Sequence, residues 1–160
     1  MTLTLTFVKA LESEHACVSK PYLDLPGFRV GWWTGQCHGQ VAFASFTDEF
    51  GVEVARAQIK LEALTGLAYP TWDRPEGGVT EIDLIEVRDT ARGSGLGTEA
   101  VHLLVAAYGP PVIALAKNES AEAFWRQQPG WVEHLRETDS DDGPEAPKGM
   151  PLFVWNGSAA

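Results

Sequence analysis

The sequence predicts a single-domain α/β fold, a mixed sheet interrupted by two helices. Three observations carry that expectation. Apolar and polar residues alternate along residues 52–61 and again along 79–87, the period of a strand with two unlike faces. Leu96, Ala100, Leu103, Leu104 and Ala107 recur at helical spacing within residues 95–108. Between that second strand and that helix stands Arg92-Gly93-Ser94-Gly95-Leu96-Gly97-Thr98, a glycine-rich junction. At 160 residues the chain suits one domain, residues 1–160, able to bury a core without staples.

Residues 3–8 alternate Thr with Leu at their start and read as an edge or first strand. Residues 10–18 suit a short helix, which Pro21, Pro26 and Gly27 keep from continuing. Residues 28–33 and 41–46 are strand-like, joined by a Gly-rich connection. Within 52–61, Val52, Val54, Ala55, Ile59 and Leu61 interleave with polar residues. Residues 65–78 are broken by Pro and Gly and carry Tyr69 and Trp72; they read as a loop, placed beside the next strand as a lid would be. Residues 79–87 make the strongest strand, with Ile82 and Leu84 expected on one face and Glu81, Asp83, Ile85 and Val87 on the other. Gly109-Pro110-Pro111 stops the helix over 95–108. The short apolar run 112–116 suits a strand buried between helices. A second helix spans 119–128 and ends at Pro129-Gly130, and residues 131–135 and 152–155 read as a terminal hairpin pair. The acidic link between them, 137–149, reads as a loop within the domain rather than a linker.

Composition narrows the function classes. Apolar residues make up 44% and charged residues 21%, ordinary for a soluble globular chain. No apolar run approaches bilayer length, and residues 1–8 lack the basic start and apolar stretch of a signal peptide. The expectation is a cytoplasmic protein without a membrane partner. Cys17 and Cys37 are then expected to be reduced. Cys37-His38 is a lone adjacent pair without zinc spacing, so no metal is expected. A net charge of −10 argues against nucleic acid as a partner and is compatible with a cationic acceptor, although solubility alone accounts for much of it.

The glycine-rich junction is built to hold a diphosphate without lysine or metal. Main-chain N–H groups at the start of a helix point outward unpaired, and the helix dipole adds partial positive charge. Glycine permits the tight turn and a close approach of ligand, while Arg92 adds a charged fork. Spacing excludes two common phosphate loops. A nucleoside-triphosphatase loop needs Gly-Lys-Ser/Thr, and no lysine lies near this turn. The dinucleotide fingerprint fails where Thr98 replaces its third glycine. What remains is Arg-x-x-Gly-x-Gly.

That pattern resembles the coenzyme A loop of the GCN5-related N-acetyltransferases. Ile85-Glu86-Val87-Arg88-Asp89-Thr90-Ala91-Arg92 is similar to the family's fourth strand and its run into the loop. Asn118-Glu119-Ser120-Ala121-Glu122-Ala123-Phe124-Trp125, with Pro129-Gly130-Trp131, is similar to its Asn-x-x-Ala-x-x-Phe-Tyr and Gly-Phe signature. Together these cover roughly a third of the chain. The resemblance implies a mostly antiparallel twisted sheet with flanking helices. It implies an N-acetyltransferase that moves an acetyl group from acetyl-coenzyme A to a primary amine of a small molecule or peptide by direct attack.

The resemblance also implies roles. The coenzyme arm would pair with the main chain of Ile85 and Val87, where one N–H could act as oxyanion donor. The diphosphate would lie on Arg92, Gly93, Ser94, Gly95, Leu96, Gly97 and Thr98. Asn118 and Phe124 would flank the arm. Plainer roles exist for several: Ile85, Val87 and Phe124 have side chains suited to a core, and Asn118 can cap the helix that follows it. Glu81 stands six residues before Val87, the spacing of the catalytic glutamate in the histone-acetylating branch, and Asp83 is a second candidate base. Two carboxylates that close would raise one pKa toward neutrality; equally, both could line a polar rim that attracts a cationic acceptor.

Trp125 departs from the pattern. The family carries a tyrosine there whose hydroxyl protonates the leaving thiolate, and an indole N–H does not ionise in this range. Losing a general acid costs on the order of 10²–10⁴-fold in rate. A coenzyme A-binding module with little turnover is therefore the alternative, and a dimerising scaffold without nucleotide binding is a third. A homodimer fits any of these. Trp32-Trp33 with Tyr69 and Trp72 suggest an aromatic acceptor pocket or, since adjacent strand residues face opposite ways, core packing.

Overall fold

Apolar alternation in the sequence becomes one continuous sheet. The computed structural model describes residues 2–8, 21–31, 40–64, 69–136 and 149–157. Among them run β1 (Thr4–Val8), β2 (Gln40–Thr47), β3 (Glu53–Ala63), β4 (Val79–Val87), α1 (Leu96–Tyr108), β5 (Val112–Leu115), α2 (Glu119–Arg126), β6 (Trp131–His134) and β7 (Leu152–Trp155). The strands form a mixed sheet in the order β1-β2-β3-β4-β5-β7-β6. Every pairing is antiparallel except β4 with β5, the two strands that α1 connects. The expected terminal pair forms, with β7 inserted between β5 and β6. No described helix is long and apolar enough to cross a membrane.

One face of the sheet packs Ala44, Phe46, Ala55, Ala57, Ile59 and Ile82 against Leu96, Ala100, Val101, Leu104 and Val105 of α1 and Trp125 of α2. This is the main core. A second cluster joins Tyr69 and Trp72 to Val79, Ile113, Leu152 and Val154. The segment expected to be a lid is thus fastened where it is described: Tyr69 and Trp72 are buried, and the Tyr69 hydroxyl donates to the Met150 carbonyl at 2.5 Å. Its described part is a loop, as expected, held down by its two buried aromatics.

Two expectations need correcting. No strand forms over residues 28–31, because Gly27 (φ 86°) and Gly31 (φ 74°) turn the chain. Phe28 and Tyr22 instead sandwich the Arg56 guanidinium, 4.0 and 4.8 Å from their ring centres. The faces of β4 also differ from simple alternation. Gln58 pairs with Leu84 and Ile59 with Ile82, so Asp83 is an extra residue, a bulge that resets the phase. Ile82 consequently joins Ile85 and Val87 on the main core.

The helix expected over 10–18, together with Cys17, Trp32-Trp33 and Cys37-His38, lies outside the described residues, as do residues 65–68 and most of the acidic loop. No cluster of metal-ligating side chains occurs among the described residues.

Candidate functional site

The parallel strands β4 and β5 pair only at Thr80–Val112 and Glu81–Ile113, then part. From Asp83 onward the edge of β4 that faces β5 has no strand partner among the described residues. A groove of about 780 Å³ fills the gap, floored by Ile82 to Val87 and walled by Leu115, Lys117, Phe124 and Trp125. At one end it meets the start of α1.

That end presents a glycine-rich turn and a helix N-terminus, features that suit an anion. Gly95 is the N-cap of α1 and has no side chain to cap the helix's first N–H groups, and no hydrogen bond to them from another side chain is seen among the described residues. Gly93 (φ 75°) and Gly95 (φ 84°) hold left-handed backbone, and a Cβ on either would meet no atom of the described residues within 4 Å. Those positions need glycine for conformation and leave space in front of the main chain. At Gly97 the reason is contact: a Cβ would come within 3.0 Å of Phe124 Cε2 and 3.3 Å of Val87 Cγ2. The Ser94 hydroxyl turns inward to the Ala91 carbonyl at 2.5 Å, and Leu96 is core. Gly93, Gly95, Gly97, Thr98 and Arg92 line the groove with Ile85, Val87, Asn118 and Phe124. Of the expected cofactor residues only Ser94 and Leu96 do not.

Arg92 is engaged before any ligand arrives. It donates from Nε to the Val87 carbonyl at 3.0 Å and pairs with Asp89 at 2.6 Å. Asn118 caps α2, accepting from the Ala121 N–H at 2.9 Å, while still lining the groove. Its capping role is therefore real, and it leaves the residue on the groove wall.

The far end is ionic. Asp83 is 4% exposed and lies on the groove; its Oδ1 accepts from Lys60 Nζ and Lys117 Nζ, each at 2.7 Å, and its Oδ2 from Gln58 Nε2 at 3.0 Å. Burial pushes the Asp83 carboxyl up, but the hydrogen bonds from Lys117 and Lys60 outweigh it and hold the group below the ordinary carboxylate range. A carboxylate stabilised this way is a weaker proton acceptor. Glu81, 1% exposed, sits 3.9 Å from Lys60 Nζ and is not among the groove's lining residues. The structure thus brings Asp83 to the groove and keeps Glu81 behind it. Glu86 accepts from the Arg29 main-chain N–H at 2.7 Å and lines the loop end.

Lys60 and Lys117 were not legible as site residues. Lys60 closes the polar series Arg56-Gln58-Lys60, whose first two members are fully buried, and that burial of a polar strand face was the missed signal. Lys117 is a single cation between an apolar strand and a helix cap, a weaker cue. Trp125 is 4% exposed, packs edge-on to Phe124 and 4.7 Å from the Trp131 ring, and still contributes to the groove wall.

No protein-family model and no curated protein matches the sequence. Solved structures do match the fold. One is the histone acetyltransferase HPA2 and related acetyltransferase of Corynebacterium glutamicum, 16% identical, with a TM-score of 0.50 over 74% of this chain and 66% of that one. The chain thus spans less than two thirds of that protein. Another is the KacTA–DNA complex, 14% identical, TM-score 0.54, covering 96% of this chain and 93% of that one. At such identities the likeness is one of architecture: the chain has the fold of the GCN5-related N-acetyltransferases.

Proposed function

We propose that this protein transfers an acetyl group from acetyl-coenzyme A to a primary amine. The observation that carries the reading is the groove that joins the start of α1 at Gly95–Gly97 to the edge of β4 left without a strand partner among the described residues. The residues present fit the cofactor: free N–H groups and Arg92 suit a diphosphate, and an open strand edge suits an amide-containing arm. When bound, the cofactor supplies an activated acetyl thioester.

The chain's own residues have separable tasks. Main-chain groups of Ile85 and Val87 orient the arm, with Arg92 already on the Val87 carbonyl. Phe124 and Trp125 exclude water from one wall. Glu81 is the proposed base, acting through water because its carboxylate is buried behind Lys60. Asp83, tied to two lysines, is the lesser candidate. The acceptor is an amine on a small molecule or peptide. KacTA was solved with DNA, but a net charge of −10 gives this chain no general attraction for phosphate backbones.

Calorimetry with acetyl-coenzyme A, followed by thiol release against a panel of amines, tests the reading. Binding with acceptor-dependent release supports it, and Glu81→Gln is expected to lower release by about 10²-fold or more while leaving binding intact. Absence of binding would sink it. Binding without release above background would favour a coenzyme A-binding module, the reading that Trp125 on the groove wall supports, since indole provides no acid.

A further inference from the structure

We infer that Lys117 holds the negative charge that develops on the leaving sulfur, in place of a proton donor on α2. The inference rests on the acetyltransfer reading above and adds a residue to it. Lys117 follows β5, lines the groove opposite Asp83, and reaches across the gap where the two strands part. Its ammonium donates to the Asp83 carbonyl at 3.1 Å and to Asp83 Oδ1 at 2.7 Å. An ammonium has three N–H donors, and the third has no partner among the described residues. Its side chain is 37% exposed, so that donor is accessible from the groove.

The surroundings leave few other groups for the task. From α2 and the turn after it, Trp125 and Gln128 line this end, and neither titrates. From β4 come Asp83 and Glu81, both carboxylates, and from β3 Lys60, which is engaged with Asp83 at 2.7 Å and Glu81 at 3.9 Å. Of the cations lining the groove, Arg92 and Arg29 belong to the loop end near Glu86. Among the described lining residues, Lys117 is the cation at the other end.

In the step itself the amine lone pair forms the N–C bond and the C–S bond breaks. The bonding pair stays on sulfur, whose negative charge faces the Lys117 ammonium, and the proton lost by nitrogen passes through water to Glu81, the proposed base. No proton need come from Lys117. An adjacent cation favours the charged form of a thiol, typically by one to three pKa units.

The measurement is the affinity of coenzyme A relative to acetyl-coenzyme A from about pH 6 to about pH 9, by calorimetry without acceptor. Only the free thiol can ionise, so a bound thiol lowered by one unit or more raises the ratio roughly fivefold or more across that range. The rise is expected in the native protein and in Lys117→Arg, and the ratio should be flat within about twofold in Lys117→Met. A flat ratio in the native protein overturns the inference even if Lys117→Met fails to fold. So does an undiminished rise in a folded Lys117→Met, or an acetyl group found on Lys117 by mass spectrometry, which would make it an acceptor. Failure of both ligands to bind sinks the acetyltransfer reading instead, so the two failures are distinguishable.

Discussion

Asp83 shows how a carboxylate can be buried and still ionised. Desolvation alone would neutralise it, but hydrogen bonds from Lys117 and Lys60 more than compensate, and its pKa falls below the ordinary range. The sign of the stability effect follows. A carboxyl whose folded pKa is depressed binds fewer protons folded than unfolded, so its contribution is fully present above the unfolded pKa, near 3.8. It is lost as pH falls through the lower folded value. Asp83→Asn is therefore expected to destabilise the protein by about 1–3 kcal/mol at neutral pH, since a buried hydrogen-bond acceptor is weakened. Its urea midpoint should also fall less steeply than the native one as pH drops from about 5 to about 2. Parallel midpoint curves would mean that the carboxylate contributes nothing through ionisation.

At the scale of elements, the glycine-rich turn and the segment at Tyr69 make opposite cases. Gly95 has φ 84° and open space in front of its Cα, so Gly95→Val should cost only the left-handed backbone penalty, about 1–2 kcal/mol. The added side chain stands where the diphosphate would approach, and coenzyme A affinity should fall at least about tenfold, beyond what that backbone penalty explains. Unchanged affinity in calorimetry would place the ligand elsewhere. Trp72 is the reverse: it is 7% exposed in a cluster with Tyr69, Ile113 and Leu152. Trp72→Ala should destabilise by about 3–5 kcal/mol and lower Tm by roughly 6 °C or more. A variant with unchanged Tm and altered turnover would restore the lid. These two elements also mark what the sequence could reveal. Most strands, both helices and the turn were legible because period and glycine placement are local properties. The bulge at Asp83 was not, because it depends on register against Gln58 and Ile59 on another strand. Core packing of Tyr69 and Trp72 was one of two readings open, and choosing it requires knowing that Ile113 and Val154 join their cluster. Asp83 was found as a candidate, but its two lysines come from β3 and from the end of β5, and only tertiary structure joins them.

For the whole molecule the question is which field an incoming coenzyme feels. The chain carries a net charge of −10, and the proposed cofactor is itself a polyanion. Close to the groove the charges balance: Arg29, Arg92 and Lys117 stand against Asp83 and Glu86, with Asp89 on Arg92. Local attraction therefore comes mainly from helix amides, which act over the first turn only. At longer range the overall negative field opposes approach, and that field is screened over about 8 Å at physiological ionic strength. Association should then accelerate with salt, the reverse of a site that steers anions electrostatically. Stopped-flow measurements from about 20 to about 200 mM salt are expected to show the on-rate rising a few-fold, while the off-rate, which short contacts at the proposed site would set, changes less. An on-rate that falls with salt would show that the cations of the groove outweigh the rest of the chain, and that the acidic surface faces away from the route of entry.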